Sequence, residues 1–277
     1  MIRSELAVFD LASGQATIVL TSERLIEAPN WLPDGQGLLV NGGGQLYRVP
    51  LANPALQPFD TGRHRALNND HGPSPDGHWL AFCDKTEVPH SCLYLMPAAG
   101  GPPRRLTAQT PSWFHGWSPD SRHLIYAAVR SGAFAICTSP AAGGAERCIF
   151  TGPGHHDGPE MTPDGQWVWF NSDRGGSMQL WRIRPDGSDI EQMTNDALVN
   201  WFPHPSPCGR HLLYLAYAPG TLNHPRECNV TLRLMPAGGG EPRALLSLFG
   251  GQGSLNVPCW SPDGRRFAFV RYHPVPG

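Results

Sequence analysis

Trp113-Phe114-His115-Gly116-Trp117-Ser118-Pro119-Asp120-Ser121-Arg122-His123-Leu124-Ile125-Tyr126-Ala127-Ala128-Val129 is the stretch whose reading decides the fold. A short apolar run meets Pro119-Asp120-Ser121, where proline presets one turn dihedral and aspartate caps its own backbone. The chain returns as His123–Val129, a run rich in β-formers. Arg130-Ser131-Gly132 breaks it, Ala133–Thr138 forms a third run, and Pro140-Ala141-Ala142-Gly143-Gly144 turns again. Arg147-Cys148-Ile149-Phe150-Thr151 is the fourth run, so the unit is an antiparallel sheet of four strands, A to D.

The same turn recurs along the chain. It reads Pro33-Asp34-Gly35, Pro75-Asp76-Gly77, Pro163-Asp164-Gly165, a degenerate Pro207-Cys208-Gly209, and Pro262-Asp263-Gly264. The spacing is near 44 residues, with a longer fifth step. A period of that length marks one supersecondary unit repeated in a ring. The second turn recurs too, as Met96–Gly101, Arg184–Gly187 and Met235–Gly239. Helical periodicity is absent. The fold expected is an all-β, six-bladed β-propeller with four antiparallel strands per blade, one domain over residues 1–277. The last repeat stops after Arg265–Tyr272, and the chain opens with an orphan pair, Leu6–Asp10 and Ala16–Thr21. The two ends are therefore expected to share one blade, which removes the exposed edges of an open array.

Composition narrows the function classes. The chain has 277 residues, 40% of them hydrophobic, 32 glycines, 29 prolines and a net charge of −2. With no basic block, nucleic acid is not an expected partner. No apolar run reaches the roughly 18–20 residues of a membrane span. The opening MIRSELAVFDLASG has no apolar signal core, and the seven cysteines form no C-x-x-C pair. The reading is a cytoplasmic protein with free thiols. There is no G-x-S-x-G elbow, Walker A loop or dinucleotide fingerprint.

Strand A of a blade lies innermost, so the residues entering it converge on the mouth of the central channel. They include Asn69, Asp70, His71, Trp113, His115, His156, Asp157, Glu160, Trp201, His204 and Asn256. The long fifth step adds residues on the same face, from which Arg226 and Gln252 are expected to reach over the mouth. Polar groups on loops held by a rigid scaffold make a binding site. Against that, channel walls are wet and carry polar residues without any ligand, and Trp113 and Trp201 are as readily explained by packing between blades. Four blades supply a histidine at nearly the same depth, and His71, His115, His156 and His204 are candidate ligands of a divalent metal, the one cofactor suggested.

The repeated turns at Ser74–Gly77, Thr162–Gly165 and Ser261–Gly264 resemble those of the TolB-like six-bladed β-propeller family. The resemblance covers the whole chain. More narrowly, the chain is similar to propeller-only bacterial proteins of that family that share Asn68–Gly72, His115–Asp120, Asp157–Pro159, Trp201–Pro207 and Phe249–Gly253. TolB itself has an export signal and an N-terminal α/β domain without counterpart here, so the resemblance implies the propeller and not envelope transport. The oligogalacturonate lyases resemble the chain in fold and in residue type at the mouth, where they hold a divalent metal; no ligand matches residue by residue. Fold alone does not license function. Three readings stay open: a module binding a small polar ligand, such as a saccharide, or a peptide; a metal-dependent lyase or hydrolase for a carbohydrate or acidic substrate; and a scaffold for protein partners.

Overall fold

The computed structural model describes residues 2–274. Six antiparallel sheets stand around one axis. Five have four strands and span residues 27–59, 67–105, 112–151, 156–192 and 199–251, here blades 1 to 5. In each, the strands follow chain order from the axis outward, and neighbouring blades touch through their A strands. Among the described residues the one helical piece is a 3-10 turn at Gln252–Ser254, and no helix is long and apolar enough to cross a membrane.

Blade 6 closes the ring as expected. Ile2–Asp10 lies between Gln15–Ser22 and Arg266–Pro274, in register from Ile2 opposite Pro274 to Asp10 opposite Arg266. Its A strand shrinks to a single bridge, Trp260 to Phe267. The preceding segment is held by side chains instead. Pro258 offers no N–H, and its carbonyl accepts from Asn30 Nδ2 at 2.9 Å.

The turn chemistry explains the repeat. Ser118 Oγ accepts the His123 N–H at 2.9 Å and donates to Asp120, whose carboxylate accepts the Arg122 N–H at 3.1 Å. Thr162 with Asp164 and Ser261 with Asp263 repeat this pattern. Each turn thus satisfies its own backbone groups without help from the core. Gly77, with φ of 73°, occupies the left-handed position that the third blade gives to Ser121. The apolar residues of successive B and C strands pack between blades. Phe82, Tyr126, Phe170 and Tyr214 are all fully buried there. Tryptophans 117 and 260 are buried as well, donating to the carbonyls of Gly72 and His204.

Two expectations need correction. By its spacing the long fifth step is expected to add loop residues on the mouth face, at 216–229 and 249–256. Most of them instead lengthen the outer strands of blade 5, Arg226–Pro236 and Arg243–Gly251, leaving a B–C loop of 218–225. The cysteines are not all free thiols: Cys137 and Cys148 face each other across the C–D hairpin of blade 3 and form a disulfide. The turn at Pro140–Gly144 sets that register, which spacing alone does not reveal. The case for a reducing compartment loses that premise.

Candidate functional site

Every A strand of blades 1 to 5 carries a β-bulge close to the axis. In three blades the bulge holds a left-handed residue before a proline: Ala28 (φ 53°), Gly158 (φ 62°) and Phe202 (φ 54°). A bulge re-aims the side chains on either side of it. Here it separates an upper ring of residues from a deeper one.

The upper ring lies seven places before each turn position and reads Glu27, Asn69, Trp113, Asp157, Trp201 and Asn256. All but Trp201 line a cavity of about 690 Å³ at the mouth of the channel. Trp201 is almost fully buried and packs behind that wall, against Phe202, His155 and His224. Asp70, His115, Arg226 and Gln252 also line the cavity. The structure therefore brings together eight of the thirteen residues picked from sequence.

Five lie elsewhere. His71 is buried between the side-chain oxygens of Asn30 (2.7 Å) and Asn41 (3.2 Å). His156 bonds Ser172 Oγ at 2.8 Å and the Gly152 carbonyl at 3.3 Å, wedged against Phe150 and Phe170. His204 and Glu160 form a pair at 2.7 Å that bridges two blades below the bulges, and the second nitrogen of His204 faces the Leu255 carbonyl at 3.1 Å. Trp201 is the fifth. The expected metal set of His71, His115, His156 and His204 is thus not gathered. Three of the four spend both ring nitrogens on separate structural partners, because strand alternation and the bulge point them away from the mouth.

At the centre of the cavity floor, His115 Nε2 lies 2.9 Å from Asp157 Oδ1, with a backbone hydrogen bond at Asn256 on its other side. Burial works against the charge on this imidazole, but Asp157 and then Asp70 outweigh it and raise its pKa. Burial likewise opposes the Asp157 carboxylate, and His115 reverses this, holding it well below the usual range. Asp70 fares differently. Burial pushes its pKa up to about 6, only partly offset by His115 and by the amide of Asn256, which donates to Oδ1 at 2.9 Å. His115 thus stands between two carboxylates of divergent proton affinity, a pattern suited to proton transfer as well as to binding. On the far wall burial also raises Glu27, against Arg226 at 3.7 Å and the hydroxyl of Tyr272 at 3.3 Å. Half-buried Trp113 and Phe134, stacked with centroids 6.2 Å apart, give the opposite wall an aromatic surface.

Sequence reasoning missed Glu27, His155 and His224. Glu27 was findable, since it stands at the same distance before its turn as Asp157 does. His155 directly precedes His156, and His224 stands two residues before Arg226. No local signal separates them from their neighbours.

The comparisons agree with this architecture. The TolB beta propeller domain family matches residues 111–228. The uncharacterized protein Atu1656 of Agrobacterium fabrum is 46% identical over 274 residues, 99% of this chain and 94% of that protein. A solved structure of a candidate TolB from Agrobacterium tumefaciens is 45% identical, with a TM-score of 0.97 over 99% of this chain and all of that one. An oligogalacturonate lyase in complex with manganese shares the fold, with a TM-score of 0.59 at 16% identity over 89% of this chain and 74% of its own. Such a scaffold supports a binding role in general. The turns, the closed ring and the full-length relatives lead to one conclusion: the chain belongs to the TolB-like β-propeller family.

Proposed function

We propose that the protein is a binding module whose mouth cavity takes a small polar ligand of the saccharide class. One observation carries this reading. Five of six equivalent positions, one per blade, supply two carboxylates, two amides and a half-buried aromatic to one cavity, with the sixth, Trp201, packed behind it. Carboxylates and amides bond hydroxyl groups, and an aromatic face packs on the apolar face of a sugar ring. A cavity of about 690 Å³ suits a ligand of one to a few rings. A peptide side chain could use the same donors, so peptides belong in the test.

The test is a titration of neutral and acidic oligosaccharides and short peptides, followed by calorimetry and tryptophan fluorescence in the presence of EDTA. Binding is expected for at least one saccharide, with Trp113→Ala or Arg226→Ala weakening it about tenfold, roughly 1.4 kcal/mol. Both side chains are accessible enough to be replaced without unfolding the chain. If no saccharide binds, or if binding ignores both substitutions, the reading fails.

A second reading, a lyase or hydrolase acting on such a saccharide, rests on His115 and its unequal carboxylates. Asp70→Asn would then abolish turnover while leaving affinity within a few-fold. Absence of product from every saccharide that binds removes it.

A further inference from the structure

Beside the upper ring, the cavity holds a cluster that the ring does not account for. His155 arrives on the connector into blade 4 and His224 on the B–C loop of blade 5. Both aim Nε2 at the same oxygen of Asp157, Oδ2, from 3.7 and 3.8 Å. The three atoms all lie within 4.8 Å of one another. We propose that His155, Asp157 and His224 form a binding site for a divalent first-row transition-metal ion, with its remaining coordination positions open to the cavity.

Four observations support it. First, the donor set is right: two imidazoles and one carboxylate on one side of an ion suit zinc, iron or nickel rather than magnesium or calcium, which prefer oxygen. Second, the separations are those of ligands and not of hydrogen bonds. Contacts of 3.7 and 3.8 Å are too long for hydrogen bonds. Two donors each about 2.1 Å from an ion stand about 3.4 Å apart at the tetrahedral angle, so the two imidazoles need draw in only a few tenths of an ångström toward Oδ2.

Third, the ligands are already oriented. Asp157 Oδ1 is taken by His115 Nε2 at 2.9 Å and by the Gly158 N–H at 2.9 Å, which leaves Oδ2 for the cluster. The His155 ring stacks on Phe134 at 4.0 Å between centroids, and the His224 ring stands edge-on to Trp201 at 4.5 Å. Hydrogen bonds to a ligating carboxylate, such as those from His115 and Gly158, fix ligand geometry in metal sites, and the ring packing restrains the imidazoles. Fourth, there is a way in: the three side chains are 22%, 13% and 24% exposed, all toward the cavity. Among the described residues the one other cluster of suitable residues, Cys137, Glu146 and Cys148, has both its thiols in a disulfide.

The site deepens the saccharide reading, since an ion there would offer Lewis-acid positions to a ligand hydroxyl or carboxylate. It rests on that reading only for the identity of the ligand, because metal uptake is measured without one and the saccharide titration is done in EDTA. The full chain, stripped with EDTA and dialysed, is titrated with Zn²⁺, Mn²⁺ and Mg²⁺ by calorimetry and with Co²⁺ by visible absorption. One ion per chain is expected, Zn²⁺ tighter than Mn²⁺ and Mg²⁺ negligible. His155→Ala and His224→Ala should each weaken Zn²⁺ binding at least tenfold, and Cys208→Ser, at an exposed thiol, should leave it unchanged. His224 sits on a loop, so its variant keeps the fold, which circular dichroism checks. Absence of uptake by the parent chain overturns the site. So does binding of parent strength in the His155→Ala/His224→Ala double variant, or uptake lost only on replacing Cys208.

Discussion

Replacing Asp70 by Asn isolates the one carboxylate at the mouth whose charge the fold opposes most plainly. Asp70 is 4% exposed, and burial lifts its pKa from 3.8 to about 6. Between those values the folded chain holds a proton that the unfolded chain has released. Stability is therefore favoured below 3.8 and falls as pH rises toward 6. The full effect of a shift of that size is about 3 kcal/mol, of which roughly 2 kcal/mol develops between pH 4.5 and 7.5. Asparagine does not titrate. The amide also changes the bond with Asn68, which adds an offset independent of pH; the pH-dependent part carries the test. Urea unfolding of both proteins at half-unit steps gives the two stability curves. The variant is expected to gain on the parent by roughly 2 kcal/mol across that range. Parallel curves, or a parent that gains on the variant as pH rises, would refute the argument that burial governs this group.

Two further outcomes follow from the deeper channel and from the thiols. Glu160→Ala strands His204 Nδ1 in a buried site and removes a packed methylene, for a loss of about 2–4 kcal/mol in urea unfolding, whereas Glu160→Gln can still donate to that nitrogen and should stay within about 1 kcal/mol. Equal damage from the two variants would show that the charge itself is needed. Thiol titration of the denatured, unreduced chain should find five reactive groups out of seven cysteines, and seven after reduction; seven before reduction would remove the Cys137–Cys148 bond.

The fold was legible because its defining signals are local. Each Ser/Thr-Pro-Asp-Gly turn closes its own hydrogen bonds within six residues, so the motif survives whatever packs around it. Shared ends were legible by the same token: a two-strand remnant and a two-strand surplus fit one sheet. The site was partly legible. Asn69, Trp113, Asp157 and Asn256 sit at a constant distance from a turn, and constant distance along an extended strand means constant height along the axis. The histidines broke this rule. His71 is one residue beyond Asp70 and so faces the other way, into an amide pocket; a single step flips a side chain across a strand. His204 lies beyond a bulge that no local pattern announces except a residue before proline.

What remained hidden depends on contacts between distant parts of the chain. Glu27 owes its importance to Arg226 and Tyr272, about two hundred residues away. His224 meets Asp157 from the B–C loop of the neighbouring blade, a contact between residues far apart in the chain. The energetics now point the same way as the geometry. A fold stabilised by burial gains nothing from acids at its axis that resist ionisation, and Asp70, Glu27 and Glu160 all have raised proton affinity there. Glu160 has a structural reason, its bond to His204. Asp70 and Glu27 line the mouth cavity, where Asn68 and Asn256 on one, and Arg226 and Tyr272 on the other, only partly offset the cost of burial. A stability penalty held at a cavity where all six blades contribute side chains is what a binding or catalytic site requires of its scaffold.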